Sequence, residues 1–235
     1  MNDVNSKIKK DLLILFAKSP SASDVKTRLS PMLAQKERAR LQKAFILDTL
    51  SLTADLCLNR ALACTPDTKG GFFAQCEKEH SVLLLNQEGD NLGERMQNGF
   101  RWAFSCGFER VVIIGSDAPT LPASFIQEAF NKLKTMRIVL GPAIDGGYYL
   151  IGANGHVPDI FSNIKWGSDT VFADTITQLH QYHLLPFWYD VDYPEDIVFL
   201  RRHIFILKKQ GRRLPIETIK VMNKTCHEHV NCPLL

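Results

Sequence analysis

Residues 110–122 read RVVIIGSDAPTLP, and this stretch decides the fold. The unbroken apolar run at 111–114 is typical of a strand buried on both faces, as in a parallel sheet covered by helices. Pro119 and Pro122 prevent the strand from continuing. Asp117 is therefore predicted just past the carboxyl end of a central strand, at the edge of the sheet where α/β proteins bind ligands.

Two interpretations of Asp117 are open on this stretch alone. A carboxylate at that edge is a natural residue for a metal or phosphate site. The alternative is that Asp117 caps a following helix at about 124–133 or shapes an Asx turn.

A second segment, RIVLGPAIDGGYYLIG at 137–152, holds another acidic residue beside a strand end. Asp145 is followed by Gly146 and Gly147, which let the backbone approach a ligand or adopt positive φ. The alternative is a simple hairpin turn, because Asp-Gly is also a strong hairpin signal. Two acid-bearing strand ends in one domain favour a divalent-cation site.

Apolar runs and helical stripes alternate along the rest of the chain, which predicts an α/β fold with a mostly parallel sheet. We predict one domain at 1–210 and a C-terminal extension at 211–235. The helix at 166–183 is predicted to begin with Ser168 as N-cap, and the helix after 192 with Asp192 as N-cap and Glu195 completing a capping box. The predicted strands are 11–17, 60–65, 81–86, 110–117 and 184–192, and the other helices are 33–58, 92–105 and 122–134.

The loop after the first strand, KSPSASDVKTRLSP, carries the cations Lys18, Lys26 and Arg28. It lacks the glycine patterns of a dinucleotide fingerprint and of a P-loop. Three cations at the carboxyl end of a strand suit phosphate groups, although a solvated loop with surface charges is the alternative. Arg95 lies near the start of the helix predicted at 92–105, where the chain leaves a strand; the alternative interpretation is a surface charge in the first turn of that helix.

Bulk composition narrows the class of protein. The 235 residues carry a net charge of only +3, which argues against a polybasic nucleic-acid surface. No apolar run approaches the ~20 residues of a membrane span, and the start KIKKDLLILFAKSP lacks a cleavage site for a signal peptide, so we expect a cytoplasmic protein. The tail CHEHVNC at 226–232 is expected to be frayed, with soft-metal binding as the alternative.

Together the motifs AKSPSASDVKTRLSP, QEGDNLGERM, VVIIGSDAPTLP, VLGPAIDGGYYLIG, WGSDTV and DVDYPEDI resemble a family of small bacterial proteins. That family has a GT-A fold and is described as nucleotide-diphospho-sugar transferases of unassigned substrate. The resemblance covers about residues 11–200 and implies a three-layer α/β/α architecture. The chain is more distantly similar to the nucleotidyltransferases that make molybdopterin and phospholactate nucleotides.

The resemblance implies a nucleoside-diphosphate site at the carboxyl edge of the sheet. Asp117 would be the acidic metal ligand, with Asp190 or Asp192 approaching the same Mg²⁺ or Mn²⁺ from the late strand. Asp145 would be a catalytic residue at the acceptor, beside Gly146 and Gly147 at the donor sugar or acceptor. The substrate-binding residues would also include the cationic loop and its neighbours: Lys18, Lys26, Thr27, Arg28 and Arg95.

Two departures from the family pattern stand out. The region before VKTRL is SASD, where the family usually has a glycine, and the acidic motif is the single Asp117 of GSDAP, not an Asp-x-Asp. We predict a metal-dependent glycosyltransferase acting from a nucleotide-sugar donor on an unknown small-molecule acceptor. A nucleotidyltransferase using a nucleoside triphosphate, or a non-catalytic nucleotide-binding protein, is the alternative. Oligomeric state is left open, with a homodimer as one option.

Overall fold

A computed structural model describes residues 10–56, 58–66 and 71–225. These residues form a seven-stranded sheet with helices on both faces. The strands are β1 Asp11–Lys18, β2 Asn59–Thr65, β3 Leu83–Asn86, β4 Arg110–Gly115, β5 Ile138–Pro142, β6 Tyr148–Asn154 and β7 His183–Leu184. The helices are α1 Gln35–Ala54, α2 Gly71–His80, α3 Leu92–Ser105, α4 Ala123–Lys132, α5 Val171–Thr177, α6 Pro194–Lys209 and α7 Ile216–Thr225, with a short 3-10 turn at Thr27–Leu29.

The sheet has the order β3-β2-β1-β4-β6-β5-β7. Strands β3, β2, β1 and β4 are mutually parallel, so their carboxyl ends meet at one edge. Strand β6 runs antiparallel to both β4 and β5. The mostly parallel α/β prediction is therefore confirmed, and the first loop and Asp117 leave adjacent strands at the same edge.

The apolar runs of the central strands are buried on both faces, as the sequence predicts. In β1, Leu13 and Leu15 pack with α1, α2 and α4, while Leu12 and Ile14 pack on the opposite face with α3. This alternation between two cores produces the predicted three-layer α/β/α arrangement. None of the described helices is long and apolar enough to cross a membrane.

The predicted secondary structure is wrong in three places. The late strand at 184–192 reduces to β7 and one isolated bridge from Ala143 to Trp188, because Pro186 interrupts the ladder. Helix α5 begins after Thr170, and the Ser168 hydroxyl instead donates to the Lys165 carbonyl. Helix α2 matches no predicted element, because only Phe73 and Cys76 of this short helix are buried.

The cap of α6 also differs from the prediction, and this difference affects the site. Tyr193, not Asp192, is the N-cap residue, and Asp196, not Glu195, supplies the capping carboxylate. Asp196 accepts hydrogen bonds from the backbone N–H groups of Tyr193 at 2.7 Å and Asp192 at 2.9 Å. The side chain of Asp192 is therefore available for other contacts.

Helix α7 lies within the predicted C-terminal extension and packs against α1 and α6. Ile219 and Met222 share a third apolar cluster with Leu41 and Phe45 of α1. Asp48 of α1 caps α7, because its carboxylate accepts hydrogen bonds from the backbone N–H groups of Glu217 at 2.9 Å and Thr218 at 2.8 Å. Burial raises the pKa of Asp48 above its ordinary value, while these hydrogen bonds oppose the shift.

We expect Asp48→Ala to lower the free energy of unfolding by about 2 kcal/mol, because two helix N–H groups lose their acceptor at a buried position. Urea denaturation measures the loss. Asp55→Ala is the matched control at the C-cap of the same helix: Asp55 is exposed and forms a surface ion pair with Arg213, so its removal should cost under ~1 kcal/mol. Equal losses in the two variants would contradict the capping role.

Candidate functional site

A cavity of about 430 Å³ opens at the carboxyl edge of β1 and β4. It brings together eight of the residues predicted to bind substrate or metal, from four separate parts of the chain. These are Lys18, Lys26, Thr27, Arg28, Arg95, Asp117, Asp190 and Asp192. Asp145 and Gly147 line a neighbouring cavity of about 460 Å³, which shares Arg28 and Asp190 with the first.

Asp117 faces this cavity and does not cap the following helix. The N-cap of α4 is Pro122, five residues further on. The Oδ1 atom of Asp117 lies 2.8 Å from the Nζ atom of Lys26, and its side chain is 39% exposed. Its backbone carbonyl accepts from the N–H of Val191 at 2.9 Å, which ties the end of β4 to the segment that carries Asp190 and Asp192.

Lys26 is the most constrained cation of the site. Its Nζ donates to the Val191 carbonyl at 2.7 Å and to Asp192 Oδ1 at 2.9 Å, besides its contact with Asp117. The side chain is only 4% exposed and lies 5.4 Å from the ring centre of Phe45. Burial alone would lower the pKa of Lys26, but Asp117 and Asp192 outweigh it and raise that pKa above its ordinary value.

The other cations are more accessible. Arg28 is 54% exposed, lies 3.5 Å from Asp192 Oδ2 and stacks over the Tyr193 ring at 5.2 Å. Lys18 pairs with Asp24 of the same loop. Arg95 donates through Nε to the Gly89 carbonyl at 3.0 Å. The exposed Arg28 is therefore better placed than Lys26 to meet an incoming anion.

Asp190 is a half-buried carboxyl group among like charges. Burial and the neighbouring Asp117 and Asp145 raise its pKa to about 8, with Asp192 adding to the shift and Lys26 opposing it. A proton or another cation near this carboxyl group would relieve the accumulated negative charge.

This raised pKa predicts how the stability of the metal-free protein depends on pH. Between the ordinary value of about 4 and the folded value of about 8, folded Asp190 keeps a proton that the unfolded chain has lost. Folding then takes up a proton, so stability should fall as pH rises through that window. The free energy of unfolding, measured by urea denaturation at several pH values in this window, should fall less steeply with pH in Asp190→Asn than in the unaltered protein. An unchanged pH dependence would contradict the assignment.

The Asp145 segment is a turn between antiparallel strands, so the hairpin interpretation is correct. Ala143 N–H donates to the Gly147 carbonyl at 3.0 Å, and Gly147 N–H donates to Asp145 Oδ1 at 3.0 Å. The turn also fits closely against the start of α5: the Gly146 carbonyl accepts from Phe172 N–H at 2.8 Å. Asp145 is exposed at the second cavity, so the hairpin also presents a carboxylate.

Several site residues were missed in the sequence. Gln42 on α1 is buried and donates to the Ser116 hydroxyl at 3.1 Å, which joins α1 to the end of β4. Tyr148 and Trp166 form an aromatic wall in the second cavity, with ring centres 6.4 Å apart and nearly perpendicular. The sequence offered one signal for these residues: the polar Gln42 lies next to the apolar stripe of α1, which indicates a buried polar contact.

No group of three or more His, Cys, Asp or Glu side chains in the described ranges is arranged to hold a metal ion. Asp117 and Asp192 form a pair around Lys26 instead. The candidate tail site CHEHVNC lies outside the described residues.

The sheet order and the helices on both faces define an α/β architecture of the GT-A type. A crystal structure of a "putative nucleotide-diphospho-sugar transferase" from Desulfovibrio desulfuricans G20 superposes with a TM-score of 0.76 and 33% identity, over 82% of this chain and 87% of that chain. The chain belongs to the bacterial family described as "Uncharacterized protein conserved in bacteria (DUF2064)", whose model matches residues 48–168. No functionally curated protein matches the sequence.

More remote structures share the fold alone. A cytidylyltransferase from Leptospira borgpetersenii has a TM-score of 0.56 at 11% identity, over 95% of this chain and 99% of that chain. The 4-diphosphocytidyl-2C-methyl-D-erythritol synthase from Anaerococcus prevotii has a TM-score of 0.54 at 13% identity, over 81% of this chain and 94% of that chain. The predicted distant similarity to nucleotidyltransferases is thereby confirmed at the level of fold.

Proposed function

We propose that this protein transfers a glycosyl group from a nucleotide-diphospho-sugar to a small-molecule acceptor, with Mg²⁺ or Mn²⁺ at the carboxyl edge of the sheet. The observation that carries the proposal is the pair of carboxylates, Asp117 and Asp192, that surround one cation position beside an exposed Arg28. The printed description of the Desulfovibrio relative supports the same class of donor.

The residues present fit a divalent cation of the kind that works with phosphates. Mg²⁺ is usually held by one or two carboxylates together with substrate phosphates and water, not by a full protein cage. Asp117 and Asp192 supply two such carboxylates, and Asp190 adds a third acidic group close by. When bound, the ion would neutralise charge on the leaving diphosphate.

The remaining residues divide between two ends of the substrate. Arg28, Lys18 and Arg95 line the first cavity, where guanidinium and ammonium groups can pair with phosphate oxygens as charge develops in the transition state. The second cavity adjoins it and offers Asp145 with the aromatic wall of Tyr148 and Trp166. We assign the sugar and acceptor to this second cavity, with Asp145 positioned to accept the acceptor's proton.

A nucleotidyltransferase is the second candidate, because the Leptospira and Anaerococcus structures share the fold of this chain. In that reaction the acceptor attacks the α-phosphate of a nucleoside triphosphate and pyrophosphate leaves. A non-catalytic nucleotide-binding protein is the third.

The test separates the three candidates by product. Nucleotide sugars and nucleoside triphosphates, each with and without Mn²⁺, are first screened for thermal stabilisation, since a ligand of the folded state raises Tm. Stabilising ligands are then assayed with sugar, alcohol and phosphorylated acceptors. We expect metal-dependent release of nucleoside diphosphate. Pyrophosphate release would overturn the glycosyltransferase assignment, and stabilisation without turnover on any acceptor would favour the binding protein.

A further inference from the structure

The Lys26 ammonium has no donor left for a ligand. An ammonium group carries three N–H donors. In this structure they meet the Val191 carbonyl, Asp192 and Asp117 at 2.7, 2.9 and 2.8 Å. The family resemblance implies that Lys26 contacts a diphosphate. In this structure Lys26 can do so only after it gives up at least one of these three contacts.

The same nitrogen stands between the two carboxylates proposed to hold a divalent cation. It makes an ion pair with one oxygen of Asp117 and a hydrogen bond to one oxygen of Asp192, so it occupies the position between the two carboxylates. A metal ion and this ammonium group are both cations, so their repulsion opposes holding both at close range between the two carboxylates. The binding of one therefore weakens the binding of the other at this position.

The surroundings allow the side chain to move without unfolding the loop. The backbone next to Lys26 is held separately: the Val25 carbonyl accepts from Arg38 Nε at 3.2 Å, and Leu29 is fully buried. The Lys26 ammonium lies 5.4 Å from the centre of the Phe45 ring, and the four-carbon stem that carries it is flexible and has no hydrogen-bonding group of its own. The loop's basic side chains, Lys26 included, line the cavity assigned to the diphosphate.

We propose that Lys26 is a latch that competes with the divalent cation for Asp117 and Asp192 and, once displaced, binds the diphosphate. The latch rests on the proposed metal and diphosphate site, but not on the identity of the sugar or acceptor. Metal binding frees the ammonium for phosphate, so metal and nucleoside diphosphate each strengthen the binding of the other. In their absence the ammonium neutralises the carboxylates and keeps the first loop joined to the segment 190–192.

A purely structural role makes the opposite prediction for metal affinity. If Lys26 only positions Asp117 and Asp192, removing its charge disorders them and weakens metal binding. If Lys26 is a competitor, removing its charge strengthens metal binding in the absence of nucleotide. Lys26→Met keeps an unbranched apolar side chain beside Phe45 and removes the ammonium.

The experiment measures Mn²⁺ affinity without nucleotide, from the signal of free Mn²⁺ in electron paramagnetic resonance. We expect Lys26→Met to bind Mn²⁺ at least about tenfold more tightly than the unaltered protein, as for removal of a competing charge. Uridine diphosphate should tighten Mn²⁺ binding more in the unaltered protein than in the variant. Lys43→Met is the matched control, because Lys43 also lies over a ring, Phe72 at 5.1 Å, but outside the cavity. It should leave both measurements unchanged.

Equal or weaker Mn²⁺ binding by Lys26→Met overturns the latch, as does the absence of Mn²⁺ binding by either protein. If the variant does not fold, the unaltered protein decides the question through the ¹⁵Nζ resonance of Lys26. That resonance should change as Mg²⁺ is added and saturate with it, and an unchanged resonance at saturation overturns the latch. A working latch with no turnover of any nucleotide sugar would leave this inference intact and count only against the proposed reaction.

Discussion

Asp117→Asn is expected to weaken metal-dependent binding of a nucleoside diphosphate by on the order of 100-fold, because it removes one charged ligand of the proposed metal ion. Asparagine has the shape of aspartate but carries no charge, so the loss isolates electrostatics from packing. Binding measured by calorimetry with and without Mn²⁺ should show the loss only when the metal is present. The melting temperature should also fall, because the buried Lys26 ammonium loses one of its two carboxylate partners.

Asp24→Asn is the matched control for this prediction. Asp24 lines the same cavity but lies on the first loop and pairs with exposed Lys18. Removing its negative charge should leave diphosphate binding unchanged or slightly tighter, because surface ion pairs contribute little and an anion would meet less repulsion. Equal losses in Asp24→Asn and Asp117→Asn would show that only the general field of the cavity matters, and would contradict a specific role for Asp117.

Gly146→Ala is expected to destabilise the fold by about 4 kcal/mol and to disrupt the second cavity, through positive φ and overpacking together. The φ angle at Gly146 is +91°, and an added Cβ would lie 2.0 Å from the Asp169 carbonyl oxygen, which is backbone and cannot rotate away. The hairpin turn or the segment before α5 must therefore shift. Asp145, Trp166 and Asp169 line the cavity that this shift would distort.

Gly155→Ala separates the two causes. Gly155 has a similar φ angle of +74°, but an added Cβ there meets nothing within 4 Å. Its cost should be limited to the backbone conformation, about 1 kcal/mol. Urea denaturation compares the two variants. A Gly146→Ala variant no less stable than Gly155→Ala would contradict the close contact between the turn and residue 169.

The fold was largely predictable because its strongest signals are local. The apolar run at 111–114 and the similar run in β1 are buried on both faces. Apolar runs that alternate with helical stripes along most of the chain are enough to predict an α/β class. The weak elements were the ones missed. Helix α2 has too few buried residues to show a stripe, and Pro186 broke a run that otherwise looked like a strand.

The site was only partly predictable, because its decisive contacts join residues far apart in the chain. The edge position of Asp117 follows from strand β4, but its contact with Lys26 depends on the conformation of the first loop, where Lys26 has a left-handed backbone with φ of 48°. The role of Asp192 was obscured by a local capping pattern that Tyr193 and Asp196 in fact complete. Sequence rules for helix caps describe the residues around position 192, but they do not show that the distant Lys26 contacts Asp192.

The sequence pattern also left the state of Lys26 unpredicted. Its type and loop position indicated a phosphate contact, whereas the structure pairs it with Asp117 and Asp192, the residues proposed to hold the metal. Composition gives a net charge of only +3, but it does not show which carboxylate a given cation pairs with when several are within reach.

The most direct test of the central claim is to locate Mn²⁺ by anomalous diffraction in crystals grown with a nucleoside diphosphate. The account predicts an anomalous peak coordinated by Asp117 and Asp192, with diphosphate oxygens completing the shell and the Lys26 ammonium moved onto the phosphate. A nucleotide bound in this cavity with no Mn²⁺ at Asp117, or with the contacts of Lys26 to both carboxylates intact, would contradict it.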